Sequence, residues 1–531
     1  MGELLKYKNK PERLKEILRS GAVEPKEVDE LYQLLNDKTT SNEIKFLIWT
    51  QIKKREDLFD IEKLSKLLKT SELNTKKIFK STPIEVKFPI ALNNKGELAT
   101  AYIIPLPKPI DTLTFSSNLE IRQALSTIKQ LLKTKKHQIQ NFFVVFDRDF
   151  TGKSFMLAVT AGLLLPEENI KNFAFTGVVN EEGEIFEVSY IPQKEEIAKS
   201  HNLKLITPDS LDKIDELIYW LGDKPVDIPF VYLVKRPPQE TTIALNKIEK
   251  KIKKKEKDFS INGLKNILGI ERKDLAISYE NSLPAITPEQ LSEENEWIKQ
   301  VLNFEEKLKN IYSKVDLKKR VLHIGLSVPI SLAMGLGIKL GTKKPVLVYH
   351  YQSDEYIPVI DLSTTAKLRK IKYIRKNIQK QMKNIEVEIP ENIESWENVA
   401  VAIWLASHSP YGDVQNYLET TGRNWPLIKI ESREFQGDIP LPQDFEDIPE
   451  DYWIRYVSEI YSVLNVLKVK YQIQKYHFFL SVPVPIAFAL GMAIGHFWDG
   501  YVYNFNFNAS APEDKYYPVF DIKDSRLKSI F

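Results

Sequence analysis

The chain has 531 residues, of which 43% are hydrophobic and 28% are charged, so it is neither disordered nor fibrous and is long enough for several domains. It contains no cysteine, which excludes disulfides, cysteine-bound metals, iron–sulfur clusters and a thiol nucleophile. The net charge of +3 indicates no general affinity for DNA or anionic membranes. Because the amino terminus lacks a signal-peptide pattern, we expect a cytoplasmic protein.

Four regions are predicted along the chain. Short amphipathic helices fill residues 1–80, and residues 81–235 mix strands and helices as an α+β domain. Residues 236–289 are predicted as linker helices, because Asn246 to Asp258 hold seven lysines without interleaved aromatic residues, which favours a solvated helix over a nucleic-acid surface. Residues 290–531 are predicted as an α/β domain. The expected fold class is therefore multidomain, combining α+β and α/β regions.

An internal repeat occupies residues 290–531. The first copy contains VLHIGLSVPISLAMGLGIKL from Val321 and YIPVIDL from Tyr356, and the second contains YHFFLSVPVPIAFALGMAIG from Tyr476 and YYPVFDI from Tyr516. Each copy reads as a helix, a buried strand, a Ser-Val-Pro turn, a second helix and two further strands. This order is typical of an α/β unit with a parallel sheet, and two fused copies would form a pseudo-dimer.

Two apolar segments within the repeat are long enough to be considered as membrane spans. Residues 321–338 and 476–498 contain no Asp, Glu, Lys or Arg. Pro329 and Pro483, however, follow β-favouring residues at points where a strand changes to a helix. Small residues then suit the packing of a helix on a sheet. We therefore predict two buried strand–helix units and no stable membrane insertion.

The segment FFVVFDRDFTGKS, from Phe142 to Ser154, leads from a strand into an apolar helix. A phosphate-binding P-loop would need a glycine five residues before Gly152, where this chain has Asp147. Its carboxylate would repel phosphate groups. The favoured interpretation is a serine nucleophile at a helix amino terminus, where backbone amides stabilise an oxyanion.

Downstream of the serine, Thr176-Gly177 is followed after six residues by Gly183 and after eleven more by Lys194. This pattern resembles the proteolytic domain of Lon peptidases. The resemblance implies a Ser/Lys dyad in which Ser154 is the nucleophile, Lys194 is the general base and Thr176 holds the lysine amine. Such a lysine must be desolvated, because its usual pKa near 10.4 keeps it protonated at neutral pH.

The loop around the serine departs from the family pattern. Lon peptidases carry Gly-Pro before the serine and Ala-Gly after it, whereas this chain has Gly152-Lys153 before Ser154 and Phe155-Met156 after it. Gly152 and Phe155 are therefore the candidate oxyanion-loop residues. No ATPase module is recognisable in residues 1–80, so the resemblance implies a protease that acts on accessible substrates.

The repeated half resembles the SAVED domain, a fusion of two CARF-like Rossmann units, through FLSVPVPIAFALG and YYPVFDI and their first-copy counterparts. The whole chain thereby resembles the CRISPR-associated Lon–SAVED proteases. The resemblance implies activation by a cyclic oligoadenylate, with cyclic tetra-adenylate the expected ring, in type III CRISPR antiviral signalling. It also implies a protein substrate encoded nearby and ligand-induced homo-oligomers.

Ligand contacts are expected where parallel strands end and helices begin, because that edge of an α/β sheet binds anions. The candidate ligand-binding residues are Ser327, Val328, Pro329, Ser481, Val482, Pro483, Ser407, His408, Arg423 and Trp404. No metal site and no resident cofactor are expected. Two alternatives stay open: a catalytically inactive scaffold that binds a nucleotide, and a Lon-like protease that needs neither ligand nor ATP.

Overall fold

A computed structural model describes residues 4–92, 95–315, 320–372, 382–391, 393, 395–442 and 451–531. The chain divides into two compact units, Met1–Lys224 and Pro225–Phe531. Each unit has its own sheets and its own core.

The first unit begins with five α-helices whose buried faces carry leucine, isoleucine and aromatic side chains. Polar side chains cap their amino termini, as at Ser41 and Asp60, which accept hydrogen bonds from the amides of Ile44 and Lys63. The helices are α1 (Pro11–Ser20), α2 (Val28–Asn36), α3 (Asn42–Lys54), α4 (Ile61–Leu68) and α5 (Glu72–Lys80).

A mixed sheet with flanking helices completes the first unit. The strands of the sheet are β1 (Ile84–Leu92), β2 (Lys95–Pro105), β3 (Phe142–Phe146), β4 (Phe173–Phe175) and β7 (Lys204–Ile206). A separate small hairpin is formed by β5 (Val178–Val179) and β6 (Ile185–Phe186). The flanking helices are α6 (Leu119–Thr134), α7 (Met156–Leu164), α8 (Glu167–Ile170), α9 (Ile191–Ser200) and α10 (Ile214–Leu221). The sheet order is β3-β2-β1-β4-β7, with β1 to β3 antiparallel and β4 and β7 parallel to β1. This arrangement agrees with the predicted α+β fold.

The second unit contains two sheets. The first half comprises β8 (Val226–Val234), α11 (Pro238–Lys253), α12 (Ile261–Gly263), β9 (Ala276–Tyr279), α13 (Glu296–Ser313), β10 (Arg320–Ser327), α14 (Ile330–Leu340), β11 (Val346–Gln352), β12 (Glu355–Leu362) and α15 (Thr365–Lys370). The second half comprises β13 (Ile385–Glu388), β14 (Asn398–Trp404), α16 (Tyr411–Thr420), β15 (Leu427–Ser432), α17 (Tyr452–Tyr471), β16 (Lys475–Ser481), α18 (Val484–Ile494), β17 (Gly500–Phe505) and β18 (Tyr516–Asp521). The sheet orders are β12-β11-β10-β8-β9 and β13-β15-β14-β16-β17-β18.

The two sheets repeat one order of elements. In the first sheet β8, β10 and β11 are parallel and β12 returns antiparallel, and β14, β16, β17 and β18 do the same in the second. A buried hydrogen bond repeats as well: His323 Nδ1 lies 2.8 Å from the Tyr349 hydroxyl, and His477 Nδ1 lies 3.2 Å from the Tyr503 hydroxyl. The predicted internal repeat is therefore confirmed.

The first copy of the repeat starts earlier in the chain than predicted. Strand β8 pairs with β10 from Val226 opposite Arg320 to Leu233 opposite Ser327. The predicted boundaries at 235 and 290 thus differ from the structure, in which residues 236–289 belong to the second unit and are not a linker between domains. Pairing between strands that are distant in sequence leaves no local pattern. The sequence therefore predicted β8 to be the last strand of the preceding domain.

Glycines bring helices α14 and α18 into close contact. A Cβ atom on Gly337 would lie 2.0 Å from the carbonyl oxygen of Phe488, and one on Gly491 would lie 2.1 Å from that of Met334. These glycines therefore allow a helix to pack on its repeat partner, whereas the sequence analysis had expected helix-on-sheet packing. The repeated contact joins the two copies within one core.

The apolar segments 321–338 and 476–498 each pass from a strand into a helix of 11 residues, and the first helix extends to Leu340. Within the part of the chain that the structure describes, no helix combines the length and apolar character that a membrane crossing requires. This agrees with the prediction of two buried strand–helix units.

Candidate active site and ligand cavity

Ser154 lies in a turn directly before helix α7, as predicted, and is half-buried. The preceding strand β3 is buried at every position, which anchors the start of the loop. The rings of Phe150 and Phe155 pack against each other at 5.2 Å and both contact Phe88 of strand β1. Phe155 is fully buried, so its side chain holds the loop against the sheet.

The two aspartates of this loop accept hydrogen bonds from backbone amides of the first unit. Asp147 Oδ1 accepts from the Thr100 amide at 2.9 Å, and Asp149 Oδ1 accepts from the Asn42 amide at 2.7 Å. Both carboxylates therefore have structural roles in fixing the loop. A phosphate cradle is disfavoured, in agreement with the sequence analysis.

Gly152 takes a backbone conformation that suits glycine, with φ at +84° and open space where a Cβ would stand. Its amide donates to Glu120 Oε2 at 3.2 Å. Glu120 lies in the first turn of α6, where Asn118 caps the helix. The loop before Ser154 is thus held by α6 as well as by the aromatic rings.

Lys194 lies on helix α9 and points into the core of the first unit. Its side chain is only 5% exposed, and its amine donates to the hydroxyl of Thr176 at 3.1 Å. Thr176, at the end of strand β4, is fully buried. Burial lowers the pKa of Lys194 from 10.5 to about 8. A substantial fraction of this amine is therefore neutral in mildly alkaline solution.

Backbone hydrogen bonds hold the serine loop next to Gly177, which follows Thr176 in the chain. The Gly177 amide donates to the Ser154 carbonyl at 2.9 Å, and the Leu157 amide donates to the Gly177 carbonyl at 3.1 Å. Thr176 is the neighbour of Gly177 in the chain and the partner of Lys194. The structure thus gathers Ser154, Thr176 and Lys194, which are separated by up to forty positions in the sequence, around one short segment.

A cavity of about 530 Å³ opens at the end of strand β10 in the second unit. Ser327, Val328 and Pro329, at the junction of β10 and α14, line it. The segment Asn504–Asn508 at the end of β17 contributes amide and aromatic side chains from the second copy. Lys235 and Arg236, which follow β8, add two cationic groups. Cationic side chains can pair with phosphate groups, and aromatic rings can stack on bases, so the lining suits a ligand that contains both.

The matching turn of the second copy is covered by its neighbours. Val482 is 1% exposed, and the Ser481 hydroxyl donates to the carbonyl of His408. Trp404 ends strand β14 opposite Ser481 and donates from Nε1 to the Ala406 carbonyl at 2.6 Å. The structure therefore gathers Trp404, Ser407, His408, Ser481, Val482 and Pro483 at one sheet edge, but not around the cavity that Ser327 lines.

Arg423 lies away from those residues. It precedes strand β15, at the amino edge of the second sheet, whereas Trp404 and Ser481 lie at the carboxyl edge. Its guanidinium donates to the Tyr417 hydroxyl and lies 4.9 Å from the ring centroid of Trp425. Trp425 in turn stacks on His477 at 3.6 Å. Arg423 therefore belongs to a partly buried aromatic stack, because its loop returns to the opposite end of the strands.

Sequence reasoning missed several residues of the cavity. Lys235 and Arg236 fell at the predicted domain boundary, and no local pattern linked them to Ser327. Phe507, whose side chain is 84% exposed, was also missed. The alternation of asparagine and phenylalanine in NFNFN at the end of β17 was the available signal, since exposed rings beside amide groups are unusual where a strand runs into a solvated turn.

The second unit has an α/β fold made of two copies of one mostly parallel sheet motif, with a polar cavity at the end of strand β10. Residues 370–522 match the family SAVED, described as the SMODS-associated and fused to various effectors sensor domain. The chain therefore carries a SAVED domain in its second unit. The chain matches no curated protein.

Among solved structures, the chain is similar to the Acinetobacter baumannii Cap4 SAVED/CARF-domain containing receptor. Two structures show that receptor with the cyclic trinucleotides 2'3'3'-cAAA and 3'3'3'-cAAA. Each is 12% identical in sequence to this chain, the match covers 85% of this chain and 96% of the receptor, and the TM-score is 0.35. A third structure of the receptor has a TM-score of 0.32 at the same identity and coverage.

Proposed function

We propose that the chain is a serine endopeptidase that a cyclic oligoadenylate activates in prokaryotic CRISPR antiviral signalling. The observation that carries the catalytic part is the buried Lys194 amine, which has a pKa of about 8 and is held by Thr176 beside the segment that binds the Ser154 backbone. A charged surface lysine would have neither the burial nor the lowered pKa. The Lon-like spacing of these residues supports the same assignment.

The proposed reaction is acyl transfer through the serine. Neutral Lys194 accepts the Ser154 hydroxyl proton as Oγ attacks the carbonyl carbon of the scissile peptide bond. Backbone amides at the start of α7 stabilise the resulting oxyanion. Collapse of this intermediate breaks the C–N bond, and the leaving amine takes the proton from Lys194. Water then attacks the acyl-enzyme with the same base, releasing a carboxylate and regenerating Ser154.

The proposed activator binds at the strand-end cavity of the second unit. The SAVED match identifies a sensor domain, and the cavity combines the cations Lys235 and Arg236 with the exposed ring of Phe507. Phosphates would pair with the cations, and adenine would stack on the ring. Cyclic tetra-adenylate is the expected ligand, a protein encoded nearby the expected substrate, and association of copies the expected consequence of binding.

The test incubates the purified chain with candidate protein substrates from its genomic neighbourhood, with and without cyclic tetra-adenylate. We expect cleavage that requires the ligand and disappears in both Ser154→Ala and Lys194→Ala. Cleavage that survives Ser154→Ala would contradict the catalytic assignment. Cleavage that depends on Ser154 but not on the ligand would leave a ligand-independent protease. If a serine-reactive phosphonate fails to label Ser154 with ligand present, the chain is a nucleotide-binding scaffold.

A further inference from the structure

Several exposed apolar side chains of the first unit belong to segments that contact the candidate active site. Among its described residues, the large hydrophobic side chains that remain exposed are Leu73, Leu119, Phe186 and Tyr190. Leu119 precedes Glu120, the partner of the Gly152 amide, and the two aromatic residues flank the segment that leads to Lys194. Exposed apolar side chains on segments that lead to a catalytic group are available for contact with a partner.

Phe186 is held close to the dyad by backbone pairing. Strand β6 pairs with β5 so that Phe186 lies opposite Val178, two positions after Thr176. Its ring is 47% exposed although Ile185, its neighbour in the strand, is buried. The alternation of a two-stranded hairpin therefore presents the ring outward on the segment that follows Thr176.

Tyr190 stands at the start of the helix that carries the base. Its carbonyl accepts a hydrogen bond from the Lys194 amide at 3.1 Å, and its φ is +63°, a conformation that costs a non-glycine residue about 1–2 kcal/mol. Its side chain is nevertheless 60% exposed. A strained and exposed aromatic residue contributes little to folding, so a binding role explains it better.

The same hairpin is strongly acidic. Four exposed carboxylates occur between Asn180 and Tyr190, at Glu181, Glu182, Glu184 and Glu187. This segment contains no lysine or arginine. Lys213 forms a backbone β-bridge with Glu184 and Lys135 lies against Gly183, but Lys135 is paired with Asp215, so the four carboxylates outnumber the remaining cation. A peptide that places its apolar side chains on the two rings would therefore experience a net negative potential, which favours lysine or arginine beside those apolar positions.

We propose that Phe186 and Tyr190 are specificity-determining residues, and that the substrate is an extended segment with a bulky apolar residue flanked by lysine or arginine. This inference rests on the proposed protease function, because the bound segment is taken to be the substrate. The rings supply apolar contact area beside the dyad, and the acidic hairpin selects the flanking charges.

The test measures peptide binding on the full chain carrying Ser154→Ala, so that no turnover intervenes. The probes are three fluorescent decapeptides with the central sequences Arg-Leu-Phe-Lys, Glu-Leu-Phe-Glu and Arg-Ala-Ala-Lys, read by anisotropy with cyclic tetra-adenylate present. Phe186→Thr keeps a strand-forming residue, and Tyr190→Asn keeps a residue that tolerates positive φ. Leu73→Ala is the matched control, since Leu73 has the same 47% exposure as Phe186 but lies on α5.

We expect the first peptide to bind at least tenfold more tightly than the other two. Phe186→Thr and Tyr190→Asn should each weaken it about tenfold, and Leu73→Ala should not. Glu187→Lys should weaken it and reduce its salt dependence. Equal binding of the three peptides, no binding of any, or equal affinity in all variants would overturn the inference. This binding pattern without Ser154-dependent cleavage in the parent chain would overturn the protease function and leave the docking surface in place.

Discussion

The amine of Lys194 donates a hydrogen bond to the hydroxyl of Thr176 across 3.1 Å in the core of the first unit. A hydroxyl oxygen accepts from both the charged and the neutral amine, so it positions the lysine in either protonation state. The burial that fixes this pair also lowers the pKa of the lysine. Position and basicity therefore have a common origin in the packing around α9.

The pH dependence of cleavage should follow the ionisation of Lys194. With its pKa at about 8, kcat/KM should rise with pH through a midpoint near that value and level off above it, because only the neutral amine is a base. Lys194→Arg should abolish activity throughout, since a guanidinium stays protonated. Initial rates between about pH 6 and 10 check this. A flat profile would contradict the role of the lysine.

The stability of the first unit should also respond to this lysine. The pKa of Lys194 is about 8 in the folded chain and returns to its usual 10.5 in the unfolded chain, so the unfolded chain binds more protons between these values and stability rises with pH across that window. Below it the buried charge costs up to about 3 kcal/mol. Lys194→Met should therefore stabilise the unit at pH 7, by an amount that shrinks as the pH rises toward 10.5.

Denaturant unfolding of the first unit, measured at several pH values, checks this prediction. Lys45→Met is the matched control. Burial also lowers the pKa of Lys45 to about 8, but its amine donates to the Phe115 carbonyl at 2.8 Å and to the Ser117 hydroxyl at 3.0 Å. Its replacement leaves two acceptors without their amine partner, whereas Lys194→Met leaves one, and should gain less. A Lys194→Met variant less stable than the parent at pH 7 would refute the assignment.

Replacing Gly152 should impair the serine loop without disturbing the core. A Cβ there would meet no atom within 4 Å, so Gly152→Ala is opposed only by its φ of +84°. That conformation costs alanine about 1–2 kcal/mol, and the loop should shift to relieve it. We expect phosphonate labelling of Ser154 to slow at least tenfold with an unchanged circular dichroism spectrum. Labelling at the parental rate would show that the loop geometry is not required.

The contact between α14 and α18 should not tolerate a methyl group. Gly337→Ala and Gly491→Ala each place a Cβ about 2 Å from a backbone oxygen, which the helices can relieve only by moving apart. Each should destabilise the second unit by about 1–3 kcal/mol or more in denaturant unfolding. Gly412→Ala, in the first turn of α16 with no atom within 4 Å, should be neutral or stabilising. Equal effects at all three sites would contradict the close packing.

Ligand binding should depend on the cavity and not on the lysine-rich segment 246–258. Cyclic tetra-adenylate should raise the melting temperature of the chain, and Arg236→Ala and Phe507→Ala should each reduce that shift by removing a phosphate partner or a stacking ring. Lys254→Ala, an exposed lysine outside the cavity, is the control. Equal shifts in all variants would place the ligand elsewhere. Linear oligoadenylate and ATP should give no shift.

Local patterns in the sequence were enough for the elements and for the internal repeat. Alternating and helical periodicities record which residues of one segment face a core, so strand β10, helix α14 and their second-copy counterparts could be predicted without knowing their neighbours. The assignments of Ser154, Thr176 and Lys194 came from the resemblance to Lon peptidases, which the spacing of Thr176-Gly177, Gly183 and Lys194 carries. Whether the segments that carry them lie together was beyond the sequence, because it depends on the backbone pairing of Gly177 with Ser154.

Contacts between distant segments were decided by the tertiary structure. The pairing of β8 with β10 moved a strand and the following helices into the second unit, and the return of the loop before β15 carried Arg423 to the opposite sheet edge. The cavity at Ser327 likewise required residues from both copies. The sequence alone determined the segments and their buried faces, because each is encoded by neighbouring residues. Only the folded chain determined which segments lie together, because that choice depends on the packing of the whole core.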